Sequence, residues 1–309
     1  MVFRRAEQFI YRNARPLDLA RWQYLFENGN WENVLRALSM YQNDDGGFGH
    51  ALEADCWNPE SSPMQTWAAT EILREIDLRD RNHPIVLGIL RYLESALDEH
   101  GWPNTIASND RYPHAPWWDY SPDVQTHYNP TASLIGFILR HAGPKSSLRL
   151  TTVCLLKEAM AYFRENCPLE SMHTAACFAE LFEDLSACGS TDVDLAEFEG
   201  LVRTQIAHVL TKDVSVWATE YVCKPSLFIH SRTSPFYPDN QALCEAECRF
   251  ISDTQQDDGT WAITWDWGRD PEPWHISKNW WKADLILKNI RFFRSMQTDD
   301  TACGECDAE

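Results

Sequence analysis

A chain of 309 residues with 44% hydrophobic content can bury a substantial core, and its 46 acidic against 27 basic residues leave a formal charge of -19. No basic run is present that could neutralise a phosphate backbone, which argues against nucleic acid and anionic membrane surfaces as partners. MVFRRAEQFIYRNARP at the start lacks the apolar stretch of a signal peptide, and no run of apolar residues is long enough to span a bilayer, so a cytoplasmic protein without a transmembrane segment is expected.

In chain order, short helical patterns precede residue 28. Trp31, Val34, Leu35, Leu38 and Tyr41 then recur at helical spacing, followed by Trp67, Ala68, Ile72 and Leu73, and by Ile85, Ile89, Leu90, Leu93 and Leu97. Further segments run over 129–142, 149–165, 169–186, 193–211, 238–254 and 274–296, for about eleven helices in an all-α domain covering 1–297. Pro84, Pro130, Pro144 and Pro168 fall at segment edges, and Thr191 or Asp192 is placed to cap the helix that ends near 211. SVWATEYV, between 215 and 222, reads as a truncated helix.

Connections near 77–82, 143–148 and 187–192 are short and polar, whereas 43–61, 100–128 and 255–273 are long and rich in Trp, Gly, Pro and Asp. If consecutive helices run up and down, the long loops share one face, which is where function is expected. Cys154, Cys177, Cys244 and Cys248 sit in helical patterns as small hydrophobes. Cys303 and Cys306 form a CxxC without a second pair, in a flexible acidic tail over 298–309, so no metal and no cofactor are expected.

QNDDGGF from Gln42 and QDDGTW from Gln256 repeat one chemistry, and DEHGW at 98–102 and KDVSVW at 212–217 are degraded versions of it. LRALSMYQNDDGGF and FISDTQQDDGTW resemble the QW-type repeat of terpenoid cyclases and protein prenyltransferase β subunits, and GHALEADCWNPESSP, PHAPWW and NPTASLIGF resemble bacterial proteins labelled prenyltransferase-like. The resemblance implies a single-domain (α/α)6 toroid of helical hairpins. In it Gln42 and Gln256 cap the next turn, Gly47 and Gly259 make the tight turn, and Phe48 and Trp261 pack between hairpins.

The chemistries of that superfamily are only partly represented. DxDD and DDxxD are absent, and Asp192-Val-Asp194 and Asp77-Leu-Arg-Asp80 read as caps or polar turns. Asp55 and Cys56 are adjacent, with His50 nearby, so the Asp-x-Cys spacing of the prenyltransferase zinc site is not met. What remains is Glu53 and Asp55 in the first long loop, Asp119 beside Trp117 and Trp118, and Asp266 between Trp265 and Trp267. Glu53, Asp55, Asp119 and Asp266 are therefore the candidate catalytic acids. His50, Trp57, His114, Trp117, Trp118, Trp265 and Trp267 are the candidate substrate-binding residues. An acid raised in pKa by aromatic burial can protonate an apolar substrate, and a carboxylate pair beside indole rings can frame a sugar. The expected function is an isoprenoid-processing enzyme with a small, hydrophobic substrate. The alternatives are a carbohydrate-active α/α-barrel enzyme and a non-catalytic toroid that binds a ligand or partner. The sequence leaves the oligomeric state open.

Overall fold

The computed structural model describes residues 2–122 and 128–297, and among these it holds eleven α-helices, five short 3-10 turns and no strand. The helices are α1 (Val2–Asn13), α2 (Pro16–Phe26), α3 (Trp31–Leu38), α4 (Pro63–Glu75), α5 (Pro84–Ser95), α6 (Thr131–His141), α7 (Ser147–Asn166), α8 (Met172–Ala187), α9 (Leu195–Val209), α10 (Tyr237–Thr254) and α11 (Pro271–Ser295). The SVWATEYV segment keeps one 3-10 turn, Val214–Val216. The tail over 298–309, with Cys303 and Cys306, lies outside the described residues. No helix of the described residues is long and apolar enough to cross a membrane.

Start signals follow capping chemistry. Ser62, Ser146 and Ser171 each accept a hydrogen bond from a backbone N–H in the first turn of α4, α7 and α8. For α9 the cap is Asp194, which accepts from the N–H groups of Ala196 and Glu197. Asp192 instead pairs with Ser190 in the preceding turn, which corrects the expected cap.

Helices pack both on their neighbours in sequence and on helices further along the chain. α6 and α8 are apolar nearly all round and form the most extensive contact, with α7 against α6 and α9 against α8. Phe163 and Phe178 stack at 4.2 Å between α7 and α8. The first and last helices meet: α1 packs on α11, α11 packs on α2, and α10 packs on α11.

The repeat junctions are resolved residue by residue, and the register differs by one from the expected one. Gln42 Nε2 donates to Gly46 O at 3.0 Å and to Ile85 O at 3.3 Å, so it ties its own turn to the start of α5. In the second copy the same task falls to Gln255, whose Nε2 donates to Gly259 O at 3.0 Å and to Val2 O at 2.9 Å. Gln256 instead accepts from Thr260 Oγ1. The equivalent glycines are Gly46 and Gly259, at φ +95° and +91°. A Cβ on either would lie 2.2 Å from a backbone carbonyl oxygen, of Gly88 on α5 and of Arg5 on α1 respectively. Gly47 has no positive φ, and its lack of a side chain makes room for Ser61 and Tyr92. Phe48 and Trp261 are buried as expected, and Trp102 and Trp217 occupy the degraded copies in the same way.

A buried pair of acids under indole rings

The first long loop is bent inward by two consecutive residues in the left-handed region, His50 at φ +58° and Ala51 at φ +59°. Three contacts then fix it. Arg15, at the start of α2, donates to Ala51 O at 2.8 Å and Leu52 O at 3.3 Å. Gln65, buried on α4, accepts from Glu53 N at 2.7 Å and donates to Cys56 O at 2.8 Å. The second long loop pairs alongside, with Ala115 N donating to Asp55 O at 2.8 Å and Trp57 N to Pro113 O at 2.9 Å. Glu53 and Asp55 are thereby drawn out of solvent.

Indole rings close over them. Trp267 Nε1 and Trp281 Nε1 both donate to Asp55 Oδ1, at 2.8 and 2.6 Å. Trp267 and Trp274 form a small apolar cluster with Ala115, against which Trp57, Trp118, Trp265 and Trp281 pack. Trp57 is held by Ser277 Oγ on α11 at 2.8 Å. The N–H groups of Trp118 and Trp265 favour ionised Glu53 and Asp55 respectively, yet neither reaches hydrogen-bond geometry with any acceptor. Both N–H groups are thus turned toward the acid pair, just short of hydrogen-bond geometry.

Burial dominates the electrostatics. Loss of water raises Glu53 well above the ordinary carboxyl range, and the neighbouring charge of Asp55 raises it further. Asp55 is raised by burial to about 6, opposed by the indole N–H groups that stabilise its anion. Of the pair, Glu53 is thus the member that keeps its proton to higher pH and Asp55 the one that ionises first. Cys56 is pushed up by burial to about 12, so the adjacent thiol offers no ready thiolate to a metal.

The structure brings Glu53, Asp55, Trp57, Trp118, Trp265 and Trp267 together and leaves the other expected residues outside. His50 is exposed, with Nε2 2.9 Å from Asn43 Oδ1. Trp117 is 45% exposed, because the turn that points Trp118 inward points its neighbour out. Asp266 is exposed and accepts from Gly268 N at 2.7 Å, a turn-forming contact. Asp119 is also exposed and sits in a side cluster: Arg269 donates to its Oδ1 at 2.6 Å, and His114 Nε2 lies 3.0 Å from the same oxygen. Arg269, foremost, keeps Asp119 below the usual carboxylate range, so it is a poor proton donor at neutral pH. Donor atoms of Asp110, His114 and Asp119 lie within 4.8 Å of one another, but the guanidinium already on Asp119 opposes a cation there.

Several residues at this site carried no motif. Trp281 comes from the middle of α11, and Trp265 packs edge-on against both Trp281 and Tyr221, with centroids 5.4 Å apart in each case. Tyr221 OH lies 3.3 Å from His173 Nε2 on α8. Tyr221 is half exposed, yet burial followed by the charges of Asp55 and Glu53 pushes its phenol up to about 12. Glu183 and His230 combine the same features: both keep water-accessible surface, while burial raises Glu183 to about 7 and lowers His230 to about 4.

Largely buried ion pairs join the helices to one another. Arg21 on α2 pairs with Glu75 on α4 at 2.7 Å and Asp284 on α11 at 3.0 Å, and Arg74 on α4 pairs with Asp184 on α8 at 2.7 Å. The chain matches no protein-family model, no curated protein and no solved structure.

Proposed function

We propose that the eleven helices close into an α/α toroid and that the chain is a general acid–base enzyme acting on a hydroxylated, carbohydrate-class substrate in its central cup. Ring closure is supported by the two Gln junctions. Gln42 ties its turn to the next outer helix, α5, and Gln255 makes the equivalent contact to α1, so the last hairpin treats the first as its neighbour. In this reading Glu53 is the proton donor and Asp55 is the fixed anion that keeps Glu53 protonated and favours developing positive charge nearby. Trp265, Trp281 and Tyr221 supply ring faces to the substrate.

The observation that carries this reading is the buried acid pair itself, with Asp55 held by two indole N–H groups and Glu53 raised by burial beside it. If the partly exposed Glu71, Glu183 and Lys288 face the cup of the proposed toroid, a bare hydrocarbon would have to desolvate them, which favours a polar substrate over the apolar one expected from sequence. The second reading, isoprenoid chemistry, is favoured by the cluster of indole rings, whose faces stabilise cations.

Turnover of a panel of labelled oligosaccharides and of farnesyl diphosphate separates the two. Oligosaccharide cleavage is expected, with Glu53→Gln lowering its rate by about 10²–10⁴ in a protein that remains folded. Conversion of the prenyl diphosphate alone, or cleavage unaffected by Glu53→Gln, contradicts the reading.

A further inference from the structure

Arg269, in the third long loop, reaches across to the second and makes two contacts there. Its Nε donates to His114 O at 2.9 Å and its Nη2 to Asp119 Oδ1 at 2.6 Å. Each contact falls next to a group that holds or covers the acid pair. His114 O and Ala115 N are the two ends of one peptide group, and Ala115 N donates to Asp55 O at 2.8 Å. Asp119 directly follows Trp118, whose indole packs with the cluster over the acids. Arg269 itself lies two residues beyond Trp267, whose Nε1 donates to Asp55 Oδ1 at 2.8 Å. The contacts run in a closed circuit from Asp55 through Ala115, His114, Arg269 and Trp267 back to Asp55, and the Arg269 side chain is where the two loops are joined in it. The turn it grips is already braced, with His114 Nε2 3.0 Å from Asp119 Oδ1 and Tyr120 N donating to Asp110 Oδ1 at 3.0 Å.

We infer that Arg269 is a positioning residue for the acid pair: by clamping the second long loop to the third, it sets where the Trp267 N–H meets Asp55. The inference rests on the acid–base reading of the same site. A guanidinium suits this task because its donors form a rigid fork, so one side chain takes a carbonyl and a carboxylate together; an ammonium does not reproduce that fork. A peptide whose oxygen is taken by a cation is also a better donor at its nitrogen, here the Ala115 N–H given to Asp55. Burial raises Asp55, and the Trp267 N–H is foremost among the contacts that oppose the rise. An indole that drifts therefore leaves Asp55 holding its proton to higher pH. Glu53, Cys56 and Tyr221 are the titratable neighbours of Asp55, and none of the three lies on the loops that Arg269 joins. The Arg269 side chain is 34% exposed, so it can be replaced without opening the core.

Infrared pH titration of the unaltered chain, Arg269→Met and Arg269→Lys tests this, with Asp55→Asn identifying which protonated-carboxyl step belongs to Asp55. Both Arg269 variants should stay folded by circular dichroism. In both, the Asp55 step should move about one pH unit higher, a tenfold gain in proton affinity. Lysine keeps the charge without the fork, so a step displaced in Arg269→Met alone assigns the effect to charge and overturns the clamp. A step unmoved in both variants overturns it as well. The acid limb of oligosaccharide cleavage, where Asp55 must be ionised, should move with the spectroscopic step. That step needs no substrate, so it decides the clamp even where cleavage is absent and the carbohydrate reading fails.

Discussion

Replacing Asp55 with Asn keeps an acceptor oxygen in front of the Trp267 and Trp281 N–H groups, now 2.8 and 2.6 Å away, and removes the charge. Burial raises this carboxyl from 3.8 to about 6, so the folded protein holds the proton to higher pH than the unfolded chain does. The stability tied to the group is complete below the unfolded value and is lost as pH rises through the folded one, between roughly pH 4 and pH 6. A shift of about two units corresponds to about 3 kcal/mol. Glu53, raised in part by the Asp55 charge, is relieved in the variant and contributes in the same direction. Urea unfolding of both proteins from about pH 4 to about pH 7 should show Asp55→Asn gaining about 3 kcal/mol on the unaltered chain. Stability profiles that stay parallel across that range refute the argument that Asp55 is a desolvated acid.

Gly46→Ala should destabilise by roughly 2–4 kcal/mol in thermal unfolding, from a positive φ combined with a carbonyl oxygen 2.2 Å from the new Cβ. Gly200→Ala, in open space on α9, should stabilise by about 0.5–1 kcal/mol. Gln255→Ala should cost about 1–2 kcal/mol in chemical unfolding and Gln256→Ala distinctly less, because only Gln255 satisfies carbonyls of both Val2 and Gly259. Arg74→Met should cost about 3–5 kcal/mol by urea titration, since it leaves Asp184, with its side chain 2% exposed, to Arg140 alone.

The helices were legible because their apolar faces repeat at 3.6 residues, and α3 to α11 fall close to the segments read from that pattern. The repeat register was not fully legible. Gln255 and Gln256 are adjacent and chemically identical, and only the carbonyls of Val2 and Gly259 distinguish them. Within the site, proximity of acids to Trp in the chain located the right loops but not the direction of each side chain. Trp117 and Trp118 part company across one turn, and Asp266 points away while Trp265 and Trp267 point in. Trp281 and Tyr221 were missed because they lie on segments read only for their apolar faces. For the buried ion pairs the available signal was the charge itself: Glu71 and Arg74, Glu180 and Asp184, and Asp284 and Lys288 recur at helical spacing on helices otherwise packed on several sides.

The central claim is that Glu53 is a protonated acid at neutral pH. Infrared difference spectroscopy of the unaltered chain against Glu53→Gln tests it directly, because replacement removes one carboxyl and leaves the other buried acids in place. A protonated-carboxyl carbonyl band present at neutral pH and lost in Glu53→Gln is the predicted result. Identical carboxyl bands in the two proteins, with the difference confined to the ionised carboxylate region, would contradict the account.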